Sequence, residues 1–317
     1  MRAAYASRFD DADPLAALTV GDRPDPTPWA EDWVTVRVLA SSLNHHDLWS
    51  LRGVGLREDR LPMILGCDAV GVDPDGNQVV VYPLIADPGD PRGMSILSEH
   101  APGTLAERVA VPRSNLLPLP TGLSVTDAAC LPTAWLTAWR MLTTKGRVDE
   151  ADAVLVQGAG GGVATAAVVL AVAMGKRVYA TSRDAAKRDR VAALGATPVE
   201  PGGRLPERVD LVIETVGAAT FDHSLKSAAP LARIVVSGAT AGYEPTVNLR
   251  RIFAMQLEIV GTSMGTPDEL TQVLAFCAAH GARPVIDSVH PFSRVGEAFA
   301  RLGSGQVFGK VVVDHTS

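Results

Sequence analysis

"VLVQGAGGGVATAAVVLAVAMG", residues Val154 to Gly175, is the stretch that decides the fold. An apolar run stops at Gly158, Gly160, Gly161 and Gly162 and resumes as an alanine- and valine-rich segment with helical composition. A strand that turns through glycines into a helix brings backbone amides and a helix N-terminus together, which is how a βα unit meets a pyrophosphate. The third glycine of GxGxxG is missing, because Val163 stands in its place. Reading Gly158, Gly161 and Ala164 as GxxGxxA restores small residues where strand and helix pack closely. The competing reading is a tight turn in a fold that binds nothing, and the βα units that follow weigh against it.

Toward the C-terminus the same rhythm continues. "RVYAT" predicts a strand followed by a helix over Asp184 to Leu194, and "VDLVIE" a strand followed by a helix near Ala218 to Ala228. "ARIVVS" and "LEIVG" add two strands, and "TPDELTQVLAFCAAH" predicts a helix capped by Thr266. Such alternation implies a parallel sheet with helices on both faces, an α/β doubly wound, Rossmann-type domain. The tip of "RVYATSRDAAKRDR" bears on the cofactor. A carboxylate there would bond ribose hydroxyls, whereas Ser182 with Arg183 and Lys187 suits a 2′-phosphate and so favours NADPH. Asp184 leaves two possibilities open: it turns inward and selects NAD, or it caps the following helix while Arg183, Lys187 and Arg188 form a solvated face.

Toward the N-terminus the texture is β-rich. "WVTVRVLAS" alternates Val34, Val36 and Val38, "DGNQVVVYP" places a turn before a strand, and "GTLAERVAVP" repeats the pattern. These short strands predict a barrel-like β domain. The tail, "GKVVVD", returns to strand after a short helix over Val295 to Leu302 and is a candidate to rejoin that domain. The expected organisation is 1–122 and 282–317 for a discontinuous β domain, with 123–281 as the inserted nucleotide domain.

Composition bounds the partners. The 317 residues are 47% hydrophobic and 20% charged with a formal net charge of −6, which suits globular domains with a sizeable core. No basic stripe suited to nucleic acid is present, and no apolar run is long enough to span a bilayer. With three widely spaced cysteines, Cys67, Cys130 and Cys277, neither a disulfide framework nor a CxxC zinc knuckle is suggested. A cytoplasmic protein acting on a small molecule is expected.

Several segments in order give the chain its resemblance: "LPMILGCDAVGVD", "ACLPTAWLTAWRML", "QGAGGGVATA", "VVSGATAG", "GTSMGT" and the terminal "GKVVV". Together they resemble the medium-chain dehydrogenase/reductase superfamily, in particular its zinc-independent quinone oxidoreductase-like branch. That resemblance implies a GroES-like β-barrel domain built from both chain ends, an inserted Rossmann domain and an active site in the cleft between them. It also implies dimerisation through an edge strand of the nucleotide sheet, here "LEIVGTSM".

The resemblance also tests "SSLNHHDLWSLRG", Ser41 to Gly53, whose paired histidines raise the question of a metal. The places at which zinc-dependent relatives hold the catalytic metal are occupied here by Asn44, Cys67 and Thr133. Amide and hydroxyl oxygens are poor zinc ligands beside thiolate and imidazole, so no metal is expected. The loop that carries the family's structural zinc, "LIADPGDPRGMSILSEHAPGT", has no cysteine. A rearranged site of His45 or His46 with Cys67 and Asp68 is the alternative. Asn44 and Asp47 match the branch's LNxxD pattern beside the nicotinamide. His45 stands where many members have tyrosine, and His45 or His46 is a candidate general acid. For the cofactor the resemblance implicates Thr137, the Gly217 turn, Gly238 with Ala239, Ser263 and Met264, and Lys310 at a phosphate or ribose.

The function expected is NADPH-dependent, metal-independent hydride transfer to a quinone or an α,β-unsaturated carbonyl. The alternatives are an alcohol or aldehyde dehydrogenase with an unconventional zinc site, and a non-catalytic NADPH-binding sensor.

Overall fold

A computed structural model describes residues 1–317. The chain divides into two compact units: Met1–Thr133 with Leu270–Ala278 and Ile286–Ser317, and Ala134–Glu269 with Ala279–Val285.

The first unit is built from β1 (Arg2–Ala6), β2 (Leu18–Asp22), β3 (Trp33–Ser42), α1 (His45–Leu51), β4 (Met63–Ile64), β5 (Asp68–Val72), β6 (Gln78–Val81), β7 (Leu84–Ala86), β8 (Met94–Ile96), β9 (Arg108–Pro112), β10 (Leu116–Pro118) and α2 (Val125–Ala128). The second contains α3 (Leu136–Leu142), β11 (Ala153–Val156), α4 (Gly162–Ala173), β12 (Arg177–Thr181), α5 (Ala185–Ala193), β13 (Thr197–Val199), β14 (Val209–Glu214), α6 (Phe221–Ser227), β15 (Ala228–Val236), α7 (Leu249–Met255) and β16 (Glu258–Gly261). Helix α8 (Pro267–His280) follows, and β17 (Ile286–Pro291), α9 (Val295–Gly303) and β18 (Lys310–Asp314) complete the first unit.

The alternation of "WVTVRVLAS" puts Val36 and Val38 inside the first unit. Strand β3 is long enough to serve two neighbours on one edge: Trp33–Arg37 pairs with β9, and Ala40–Ser42 pairs antiparallel with the C-terminal strand β18. On its other edge lies β5, and the sheet runs β10-β6-β5-β3-β18-β17. This arrangement brings residues from both chain ends together at the end of β3, where α1 begins.

In the second unit six parallel strands run β13-β12-β11-β14-β15-β16. The order reverses at β11, the topological switch point at which doubly wound sheets take their ligands. Its apolar layer includes Leu155, Val212, Phe221, Leu225 and Ile234. The helix expected near Ala218 to Ala228 is shorter, starting at Phe221, because Glu214 binds the Val216 and Gly217 amides and holds that stretch as a turn. No helix is long and apolar enough to cross a membrane.

Candidate active site

The candidate dinucleotide site, in the second unit, starts where β11 ends. Gly158 has φ +73°, and a β-carbon on it would lie 2.4 Å from Val216 Cγ2, so glycine is required by both conformation and space. A β-carbon on Gly161, which caps α4, would meet nothing within 4 Å. The first-turn amides of α4, at Gly162, Val163 and Ala164, are the donors that every helix start leaves without intrahelical partners. An open, side-chain-free approach to a helix start fits a pyrophosphate. Gly158 and Ala159 instead donate their N–H groups inward, to Thr181 Oγ1 at 2.9 Å and Thr181 O at 2.7 Å.

At the tip of β12 the structure distinguishes the two possibilities for Asp184. Its carboxylate accepts from Lys187 N at 3.1 Å and caps α5. Ser182 is buried beneath the tip, while the Arg183 side chain is exposed. Arg188 folds back onto the tip, donating to Ser182 O at 2.9 Å and Arg183 O at 3.2 Å and pairing with Glu200 at 3.0 Å. One of the two possibilities left open in the sequence put Arg188 on a solvated face; its spacing of four residues from the Asp184 cap was the available sign that it could return to the helix start.

Further along the same sheet, Gly217 (φ +88°) turns so closely that a β-carbon would lie 2.4 Å from Gly242 O. Gly238 and Ala239 follow β15, half-buried. Thr137 Oγ1 points at Met264 Sδ, 3.7 Å away, and Ser263 beside it is exposed. Gly160, between the two inward amides and the start of α4, has φ +154°.

A second group of candidate residues, in the first unit, is the Asn44–Asp47 turn, which forms the start of α1. Asp47 is fully buried and bound through both oxygens: Oδ2 accepts from Asn44 N at 2.8 Å and Oδ1 from Gly66 N at 2.9 Å. Burial raises its pKa, against the pull of His46 and these two amides. Asp47 therefore fixes α1 to the loop before β5.

Lys310 requires a correction. Expected at a cofactor phosphate or ribose, it is 3% exposed and directs its ammonium to Leu43 O at 2.8 Å, Asn44 Oδ1 at 2.6 Å and Asp68 Oδ2 at 3.2 Å. An ammonium has three N–H bonds, and all three are used. Asp68 Oδ2 also accepts from Ser42 Oγ at 2.7 Å and Asn44 Nδ2 at 2.9 Å, while its Oδ1 is buried without a partner. Asn44 is thus locked at both ends of its amide.

The two histidines differ. His46 has both ring nitrogens engaged, Nδ1 with Cys67 Sγ at 3.4 Å and Nε2 with Glu99 Oε1 at 3.0 Å. Burial pulls its pKa down, but Cys67, Glu99 and Asp47 outweigh it and hold the imidazole well above its ordinary value. Burial pushes the Cys67 thiol up, against the pull of His46. His45 is exposed, with Trp49 one turn on and their ring centroids 6.4 Å apart. The protein packed about it and the Lys310 cation hold its pKa below 6.5.

His46, Asp47 and Cys67 bring ligand atoms within 4.8 Å of one another, the one cluster with metal-ligating composition. These residues do not fit zinc. Both Asp47 oxygens are held by backbone amides, and the His46 Nε2 is taken by Glu99, which leaves only the His46–Cys67 contact itself as a donor pair. The orphan Asp68 oxygen offers a single further donor, on a carboxylate already paired with the Lys310 cation.

A doubly wound sheet with an open glycine turn in one unit, and a β unit carrying buried polar residues from both chain ends as the other, define a dinucleotide-dependent oxidoreductase of two-domain architecture. Residues 30–121 match the family model for the alcohol dehydrogenase GroES-like domain, and residues 186–313 the model for zinc-binding dehydrogenase. Acryloyl-coenzyme A reductase of Sulfurisphaera tokodaii is 30% identical over 95% of this chain and 97% of its own. The mitochondrial NAD(P)H oxidoreductase RTN4IP1 of Danio rerio is 27% identical over 88% of this chain and 83% of its own. A crystal structure of an NAD-dependent alcohol dehydrogenase superposes with a TM-score of 0.88 at 34% identity, covering 99% of both chains. The chain belongs to the medium-chain dehydrogenase/reductase superfamily.

Proposed function

We propose that this oxidoreductase uses NADPH to reduce a carbon–carbon double bond conjugated to a carbonyl, in an enone or an enoyl thioester, without a metal. The observation that carries this reading is the Lys310–Asn44–Asp68 network, which ties Asn44, at one of the positions where zinc-dependent relatives hold their metal, into an internal ion pair. A conjugated acceptor is already electrophilic at its β-carbon and has less need of a Lewis acid than an alcohol or a simple carbonyl. The similarity to a reductase of an acyl thioester supports this substrate class over a quinone, the other acceptor that the sequence suggested.

When bound, NADPH supplies the hydride from C4 of its nicotinamide. The start of α4 holds the pyrophosphate, and Ser182 and Arg183 take the 2′-phosphate. The Asp184 carboxylate is turned to the α5 cap rather than toward a ribose, and Ser182 and the exposed Arg183 are left for a 2′-phosphate, which favours NADPH over NADH. Hydride addition at the β-carbon leaves an enolate, and His45 in its imidazolium form returns a proton to it. His46 holds Cys67 and Glu99 and has no nitrogen to spare. Asn44, Asp47 and Lys310 keep the start of α1 in place. The active species is a dimer.

Protein stripped of divalent metal by chelation tests the reading, with NADPH or NADH and a panel of an enoyl thioester, a 2-enone and a quinone. Turnover of the conjugated carbonyls with NADPH is expected to survive. Because His45 must be protonated, kcat/KM falls as pH rises through its pKa, which lies on the low side of an ordinary imidazole. His45→Gln keeps a hydrogen-bond donor but loses that titration, lowering kcat about a hundredfold with NADPH affinity unchanged. Turnover that appears only when zinc is restored would transfer the chain to the alcohol or aldehyde dehydrogenases. Tight NADPH binding with no turnover would make it a sensor.

A further inference from the structure

Beneath the glycine turn lies a chain of buried polar groups with no task in the chemistry above. Glu214, at the end of β14, is completely buried and accepts from the Val216 and Gly217 amides, Thr220 Oγ1 and, at 2.6 Å, Ser224 Oγ. Because Ser224 spends its one O–H on that carboxylate, its oxygen is left to accept. The donor is Gln157 Nε2, 3.0 Å away. This settles the orientation of the Gln157 amide, with its NH2 toward α6 and Oε1 toward β12. The second N–H of the same group meets His223 Nδ1 at 2.9 Å, so that nitrogen carries no proton. His223 then has its proton on Nε2 and donates it to Gly203 O at 2.9 Å. At the other end Thr181 Oγ1 donates to Gln157 Oε1 at 2.8 Å and receives the Gly158 N–H at 2.9 Å. Each link follows from the one before, so amide flip, hydroxyl rotor and tautomer are all determined by an acceptor that cannot donate.

From this directionality we infer that Gln157 and His223 are positioning residues for the dinucleotide. They hold Thr181 as an acceptor for Gly158, so that the turn keeps the Gly158 N–H inward and presents the first-turn amides of α4 to the pyrophosphate. A proton on Nδ1 of His223 would turn the Gln157 amide around and aim its NH2 at Thr181, in competition with the Gly158 N–H. The inference rests on the dinucleotide reading proposed above.

Two substitutions separate this role from simple packing. In His223→Asn a side-chain carbonyl stands near Nδ1 and still accepts from Gln157. In His223→Gln the longer amide reaches toward Gly203 as Nε2 did, but the acceptor for Gln157 is lost. The measurements are titration of the full chain with NADPH, followed by its tryptophan fluorescence, and long-range 1H–15N correlation of the His223 ring. The ring is expected to carry its proton on Nε2, with His223→Asn binding NADPH within about twofold of the wild type and His223→Gln about tenfold more weakly. Thr181→Val, which breaks the next link, is expected to weaken binding likewise, and kcat at saturating NADPH is expected to change little in all three. A proton on Nδ1, or equal losses in the Asn and Gln variants, overturns the inference and leaves the dinucleotide reading standing. A wild-type chain that binds neither NADPH nor NADH overturns both.

Discussion

His315 shows how much a single buried side chain can weigh on this protein. Its ring packs at a tilt against Phe292, with centroids 4.8 Å apart, and both its nitrogens are buried without a hydrogen-bond partner. Burial, opposed by Asp314, lowers its pKa from 6.5 to about 4. Between those values the unfolded chain takes up a proton that the folded chain refuses. The stability this histidine contributes above pH 6.5 is therefore lost as pH falls toward 4, by about 3 kcal/mol in all. His315→Phe keeps a ring against Phe292 and removes the titration. Denaturant unfolding at pH 7 and pH 4.5 is expected to show a smaller loss for the variant, and equal losses would sink this account. The same scale marks the limit of sequence reading at the site. Asn44, His45, His46 and Asp47 could be named as one group, but not sorted, because their partners lie far along the chain: Glu99 is 53 residues from His46, and Lys310 is 266 from Asn44. Which histidine is free and which is spent depends on those distant contacts.

At the level of elements, legibility followed periodicity and chain length. The strand–glycine–helix passage from β11 to α4 was plain because it combines an apolar strand with a long apolar helix. Helix α1 is hard to read from the sequence, since "NHHD" is polar and the helix lasts only seven residues; Asn44 with Asp47 three residues on is its capping sign. Strand β13 has three residues, one of them Pro198, and α7 has no buried residue to give it a visible apolar stripe. Where local chemistry is strong, the reading is good to the residue. Thr266 Oγ1 accepts from Glu269 N at 3.2 Å, and Glu269 Oε2 accepts from Thr266 N at 2.7 Å, a reciprocal cap on α8. Thr266→Ala removes one of these bonds and is expected to cost about 1 kcal/mol, whereas Thr266→Ser costs little. Chemical denaturation distinguishes the two, and equal losses would show that the methyl group, not the hydroxyl, supports the helix end.

For the molecule as a whole, the open question of assembly is posed by β16. It is the last strand of the parallel sheet, with β15 on one side and no strand on the other. An exposed edge invites pairing, and proteins that stay single usually guard such edges with charge, proline or a bulge. Here Glu258 is drawn back to Arg233 on β15, and Ile259 at the middle of the edge is 42% exposed. Nearby segments add apolar surface, with Leu231 at 67%, Leu249 at 70% and Phe253 at 71% exposure. Scattered apolar residues need no partner, but an unpaired strand with an exposed isoleucine at its middle matches what a self-complementary two-fold contact requires. A dimer through β16 is therefore expected at micromolar concentration. Ile259→Lys places an ammonium in the middle of the edge, where two copies would bring like charges together. Light scattering is expected to move from dimer to monomer in this variant while far-UV circular dichroism is unchanged. A wild type that remains monomeric across the concentration range would reject the assembly, and an Ile259→Lys protein that remains dimeric would place the contact elsewhere.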